Sequence, residues 1–164
     1  MKNWSFKKWN TLLGWVVFAI AFLTYFSTIE PNLSFWDTGE YISSAVKLEV
    51  THAPGAALFQ LVGAVAAMFA FGNGENYSVV INSMSALFSA FTILFLFWTI
   101  THLVRRLLNK EFDEINKHQE ISILFAGVIG ALCFTFSDTF WFSAVEGEVY
   151  SMTSMFIALL VWLI

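Results

Sequence analysis

The sequence predicts an all-α, polytopic membrane protein, and three observations carry that reading. Of 164 residues, 58% are hydrophobic and only 12% are charged, about half the roughly 25% charged share of a soluble domain; the mean hydropathy is +0.70. The chain holds 19 Phe and 7 Trp, more rings than a small soluble core encloses. Long runs without a charged residue recur along it, and a membrane helix needs about 20 such residues.

The first run, 11–29, follows Lys2, Lys7 and Lys8, which predicts a cytoplasmic N-terminus. A secretory signal would have a shorter apolar core ending at small residues. Thr24-Tyr25-Phe26-Ser27-Thr28 is bulky at that point, so the run reads as a retained span. Further spans are predicted at about 78–104, 121–138 and 149–164, giving about four transmembrane helices.

The run 53–72 is different. It is rich in small residues and bounded by breakers, Pro54-Gly55 and Gly72-Asn73-Gly74. If it crossed the membrane, Arg105 and Arg106 would fall outside. If it does not, Lys2, Lys7, Lys8, Arg105, Arg106, Lys110 and Lys117 are all inside and only Lys47, of the 8 basic residues, is outside. The sequence therefore predicts two interfacial helices in a first outer loop, at about 38–50 and 54–71. Such segments lie beside protein or water and tend to line a site.

Net charge of −4 argues against nucleic acid as a partner. The single cysteine, Cys133, lies in an apolar run and excludes a disulfide framework or a thiol metal site. The chain reads as one transmembrane module, 1–164, ending inside the apolar stretch 155–164. It is expected to be a piece of a longer protein and inactive by itself.

Candidate chemistry gathers on the predicted outer face. Asp37 and Glu40 lie three residues apart, on one face of a helix, flanked by Trp36 and Tyr41, which favour the membrane interface. Desolvation beside an apolar wall would raise a carboxylate toward the range of a general base. The same spacing also fits a helix cap at Asp37 with Glu40 as its capping-box partner. Pro54 suits the first turn of a helix, whose free amides would favour an anion, with His52 or Lys47 adding charge. In the second outer segment Glu146, Glu148 and Tyr150 could wall a site, because acids at the interface are costly to keep there. Carboxylates such as Asp37, Glu40 and Glu148 could hold a divalent metal with waters; no other cofactor is indicated.

Together, Trp36-Asp37-Thr38-Gly39-Glu40 and His52-Ala53-Pro54-Gly55, followed by a Phe-Gly break and a helix closing on Arg105-Arg106, resemble the N-terminal part of the GT-C membrane glycosyltransferases. The version here is similar to a bacterial family of uncharacterised, protein O-mannosyltransferase-like multi-pass proteins, over roughly 15–150. The resemblance implies transfer of a sugar from a polyprenyl-phosphate carrier to a hydroxyl on an acceptor protein or glycan, at the outer face of a bacterial inner membrane. It implies Asp37 as the base, with Glu40 the nearest alternative. Ala57 stands where that pattern has a second proline, and Asn82 sits near the place of an arginine, so a cation for the donor phosphate is expected beyond Ile164. The competing expectation is a non-catalytic transporter or scaffold subunit, but a transporter should place charges mid-span.

Overall fold

The computed structural model describes residues 6–108 and 116–164. Among them the chain is helical, with no strand. Seven α-helices follow in order: α1 (Phe6–Ser27), α2 (Thr38–Lys47), α3 (Ala57–Ala67), α4 (Tyr77–Leu107), α5 (Lys117–Thr135), α6 (Asp138–Ala144) and α7 (Val149–Leu163). Two short 3-10 turns, Met68–Ala70 and Gly74–Asn76, join α3 to α4.

Length decides which helices can cross. The 22 residues of α1 and the 19 of α5 extend about 33 and 28 Å at 1.5 Å per residue, matching a hydrocarbon core about 30 Å thick. The 31 residues of α4 exceed that thickness. These are the three helices long and apolar enough to span, with α4 counted from its leading 3-10 turn. A fourth span is available when α6 and α7 are taken together: the 15 residues of α7 join α6 through a break bent by 112°. The run 53–72 is too short to cross, its helical part being Ala57–Ala70, as expected of a helix in the outer loop.

The central element is α4, which packs against α1, α5 and α7. Its buried face includes Ser85, Ala86, Ser89 and Ala90, small residues that let backbones approach where lipid supplies no hydrophobic drive. Gly127 of α5 serves the same end: a Cβ there would lie 2.6 Å from Thr101 and 2.8 Å from the Phe97 ring. One core cluster joins α1, α4, α5 and α6 through Val17, Ala21, Tyr25, Ala90, Ile93, Phe97, Ile123 and Phe140. A second lies under α2 and α3 and contains Ile42, Ala45, Phe59, Ile81, Met84 and Met152. Leu23, Phe125, Ile129 and Leu160 stay exposed on α1, α5 and α7, which suits a lipid-facing surface.

The ends of the helices sort into two groups. At one end Trp98 Nε1 donates to the Asn10 carbonyl (3.3 Å), and Phe6 and Arg105 line one cavity. At the other, the Tyr25 hydroxyl donates to the Thr135 carbonyl (2.9 Å) and Asn82 Nδ2 to the Glu30 carbonyl (2.7 Å). The N-terminal end of α1 and the arginine pair thus share one end of the bundle, and the loop segments share the other, in agreement with the arrangement counted from charge.

Candidate active site

Backbone geometry first brings α2 under the loop that follows it. Trp36 and Leu48, at φ 61° and 55°, bracket the helix in left-handed conformations. The chain then reverses, and a turn closed by Gly55 N–H on the His52 carbonyl (2.8 Å) leads to α3. Pro54 therefore sits in this turn and not in the first turn of a helix, which begins three residues later at Ala57.

The reversal lays His52 against α2. Its backbone N–H donates to Glu40 Oε1 (2.6 Å), and its Nδ1 pairs with Glu40 Oε2 (2.9 Å). Those two hydrogen bonds hold the Glu40 carboxyl below its usual range, with the side-chain bond the larger cause. An ionised carboxylate only accepts, so the proton between them belongs to Nδ1. The hydrogen bond to Glu40 likewise raises His52. With Nδ1 committed, Nε2 is left facing Asp37 Oδ2 at 3.9 Å.

Two expectations are corrected here. Asp37 occupies the N-cap position of α2 but makes no side-chain cap bond, and Glu40 turns to His52, so there is no capping box. Glu40 is also not a desolvated base with a raised pKa; it shifts the other way. The structure groups Asp37, Glu40 and His52, with ligand atoms all within 4.8 Å of one another. Glu148 does not belong to that trio.

A cavity of about 510 Å³ opens beside the trio, lined by Asp37, Tyr41 and His52, the first turn of α3, and Glu148, Tyr150 and Met152. Glu148 is 6% exposed and Glu146 3%. Thr38 Oγ1 donates to Glu148 Oε1 (3.3 Å), while Glu146 Oε2 is buried without a partner. Burial pushes both carboxyls above their usual range, and the charge of Glu146 adds to the effect on Glu148. Tyr41 is raised by burial and by Asp37 and Glu148. Its ring meets Phe59 edge-on at 5.6 Å, fixing one wall.

The elbow carrying these acids, 145–148, is clamped from three directions. Glu30 N–H donates to the Val145 carbonyl (3.1 Å), and Asn82 holds the Glu30 carbonyl. Trp141 Nε1 donates to Thr28 Oγ1 (2.9 Å). Gly147 leaves no room for a side chain against Asn82, Ile81 and Ile42.

Of the nine site residues expected from the sequence, Asp37, Tyr41, His52, Glu148 and Tyr150 line the cavity, and Glu40 supports it through His52. Glu146 is buried and does not line it. Trp36, 86% exposed, and Lys47, exposed in the last turn of α2, do not line it. Sequence reasoning named Thr38 and Asn82, both fully buried, but gave neither a part in the site. Local pattern does not show such a part, since Thr38 meets a partner 110 residues away.

Residues 37–164 match the family described as the protein O-mannosyl-transferase TMEM260 N-terminal domain. The chain is 28% identical over 148 residues to the protein O-mannosyl-transferase tmem260 of Dictyostelium discoideum, covering 90% of this chain and 16% of that one. It is 29% identical over 145 residues to the protein O-mannosyl-transferase TMEM260 of Mus musculus, covering 88% and 18%. The chain thus spans less than a fifth of the length of the curated relatives it matches. Both are eukaryotic and lend nothing to the expectation of a bacterial inner membrane. No solved structure matches the chain. A match over residues 37–164 covers most of the sequence and all of the cavity, so the chain belongs to the protein O-mannosyl-transferase TMEM260 N-terminal domain family.

Proposed function

We propose that this chain carries the acceptor-activating part of a GT-C-type membrane glycosyltransferase, which moves a sugar from a polyprenyl-phosphate donor to a protein hydroxyl on the outer face. The observation that carries the reading is Asp37 lining a cavity of about 510 Å³ together with Tyr41, Glu148 and Tyr150. The relatives are protein O-mannosyl-transferases by name, which supports a protein hydroxyl as acceptor and mannose as the first sugar to test.

In this reading the Asp37 carboxylate takes the proton from the acceptor hydroxyl. The oxygen attacks the anomeric carbon, the bond from that carbon to the phosphate oxygen breaks, and the lipid phosphate leaves with the electron pair. Positioning and charge supply the rate. Residues of the first turn of α3 line the cavity, and the first amides of a helix have no intrahelical acceptor, which supports placing the phosphate there. The transporter alternative has less support, because the central turns of α1, α4 and α5 carry no charged residue.

The test is transfer from polyprenyl-phosphate mannose to a Ser/Thr peptide by membranes holding the full-length protein or its Asp37→Asn variant. Loss of a general base should cost roughly 10²–10⁴-fold at unchanged expression. Equal transfer by both proteins would remove Asp37 from the chemistry.

A further inference from the structure

The cavity has a charge problem. Asp37 and Glu148 line it, Glu40 stands next to it, and no Lys or Arg is among its lining residues. A phosphate-bearing donor entering it would meet carboxylates, and the end of one helix offers only about half a positive charge. His52 is the one side chain of the lining that can carry positive charge, and its arrangement also suits it to hold a cation.

Glu40 takes Nδ1–H of His52, the carboxylate–histidine arrangement that fixes a ligating imidazole and leaves its second nitrogen free to bind. That nitrogen, Nε2, lies 3.9 Å from Asp37 Oδ2. Two ligand atoms each about 2.1 Å from one ion sit about 3.0 Å apart at a right angle and about 4.2 Å apart when opposed, so the observed spacing lies inside that range. One ligand atom each from Asp37, Glu40 and His52 lie within 4.8 Å of one another. His52 and Asp37 are half-exposed toward the cavity, leaving room for waters and an incoming phosphate oxygen.

We infer that Asp37 Oδ2 and His52 Nε2 form the protein half of a divalent-cation site, with Glu40 orienting His52, and that the ion joins the donor phosphate to this cavity. One imidazole and one carboxylate suit Mn²⁺ or Zn²⁺ better than an all-oxygen ion such as Ca²⁺. Few protein ligands with open positions are the pattern of ions that act on phosphates. The ion's role toward the donor rests on the glycosyltransferase reading; the ion-binding site does not.

The experiment is Mn²⁺ titration of the full-length protein in nanodiscs, read by loss of the free-ion electron paramagnetic resonance signal. One Mn²⁺ should bind per chain. Asp37→Ala and His52→Ala should each weaken it at least about 100-fold, and Glu40→Gln about 10-fold, the span for losing an orienting partner. Glu75→Gln, an exposed acid outside the cavity, should bind as the unsubstituted protein does. His52→Gln and circular dichroism of each variant separate ligand loss from misfolding. Absence of binding, or binding indifferent to Asp37 and His52, overturns the inference. Full transfer after chelation overturns the ion's role toward the donor, and leaves the glycosyltransferase reading standing. Mn²⁺ binding with the expected variant pattern but no transfer upholds the site and sinks that reading instead.

Discussion

Gly147→Ala is the most informative single substitution, because it adds one methyl group at the elbow that carries both buried acids. A Cβ at this position would lie 2.9 Å from Asn82 Oδ1, 3.0 Å from Ile81 Cγ2 and 3.3 Å from Ile42 Cγ1. Ordinary carbon contacts fall at about 3.5–4.0 Å, so the group is short of room by several tenths of an ångström on three sides. None of the neighbours can yield: Asn82 and Ile81 are 0% exposed and Ile42 4%, and Asn82 is tied to the Glu30 carbonyl at 2.7 Å. The elbow must therefore move, and Glu148 with it, away from Thr38 and the cavity wall. Overpacking of this kind costs about 1–3 kcal/mol, or about 5- to 150-fold in the folding equilibrium. Thermal melting of the full-length protein in detergent, run beside the transfer assay, reads both consequences. Gly74→Ala supplies the comparison, since nothing lies within 4 Å of a Cβ there. A Gly147→Ala protein that melts no earlier than Gly74→Ala and transfers normally would refute the argument that this elbow is sterically locked.

Two further outcomes follow from the buried polar groups. Burial holds the Glu146 carboxyl above its ordinary value of 4.5, so the folded state binds that proton more tightly than the unfolded state does. Its contribution to stability is in place below pH 4.5 and is lost as pH rises through the raised value. The neutral Glu146→Gln variant should gain in melting temperature over the unsubstituted protein as pH increases; a difference that stays constant with pH would contradict this. Tyr25→Phe removes the buried bond to the Thr135 carbonyl, 2.9 Å long. It should cost about 0.5–1.5 kcal/mol, measured as an earlier melt; an unchanged melt would show that the bond contributes nothing net.

Much of the architecture was legible in the sequence because a bilayer imposes a one-dimensional rule. Backbone groups must be satisfied within each helix, so an apolar run of sufficient length becomes a span whatever surrounds it. That rule marked out α1, α4 and α5, and the small residues and breakers around 53–72 marked α3 as too short to cross. The boundaries moved by a few residues where local signals were invisible to hydropathy. The helix α5 begins at Lys117 because Asn116 and Gln119 form a capping box, and α2 stops at Lys47 because Leu48 turns left-handed. The bend between α6 and α7 was not foreseen, since hydropathy does not record direction.

The site divides along the same line. Residue type and position relative to the spans sufficed to nominate Asp37, Glu40, His52 and Glu148, because charge at the edge of a membrane is expensive and stands out in an apolar sequence. The sequence could not tell what each carboxylate does. Spacing of three residues made Glu40 a capping partner of Asp37, yet its carboxylate reaches His52, twelve positions on. That choice depends on the reversal at 48–55, which lowers Glu40 while burial raises Glu146 and Glu148. Length and polarity determined which helices can span a membrane; only the tertiary structure decided which acid is paired, which is buried and which faces the cavity, because those depend on contacts between segments far apart in sequence.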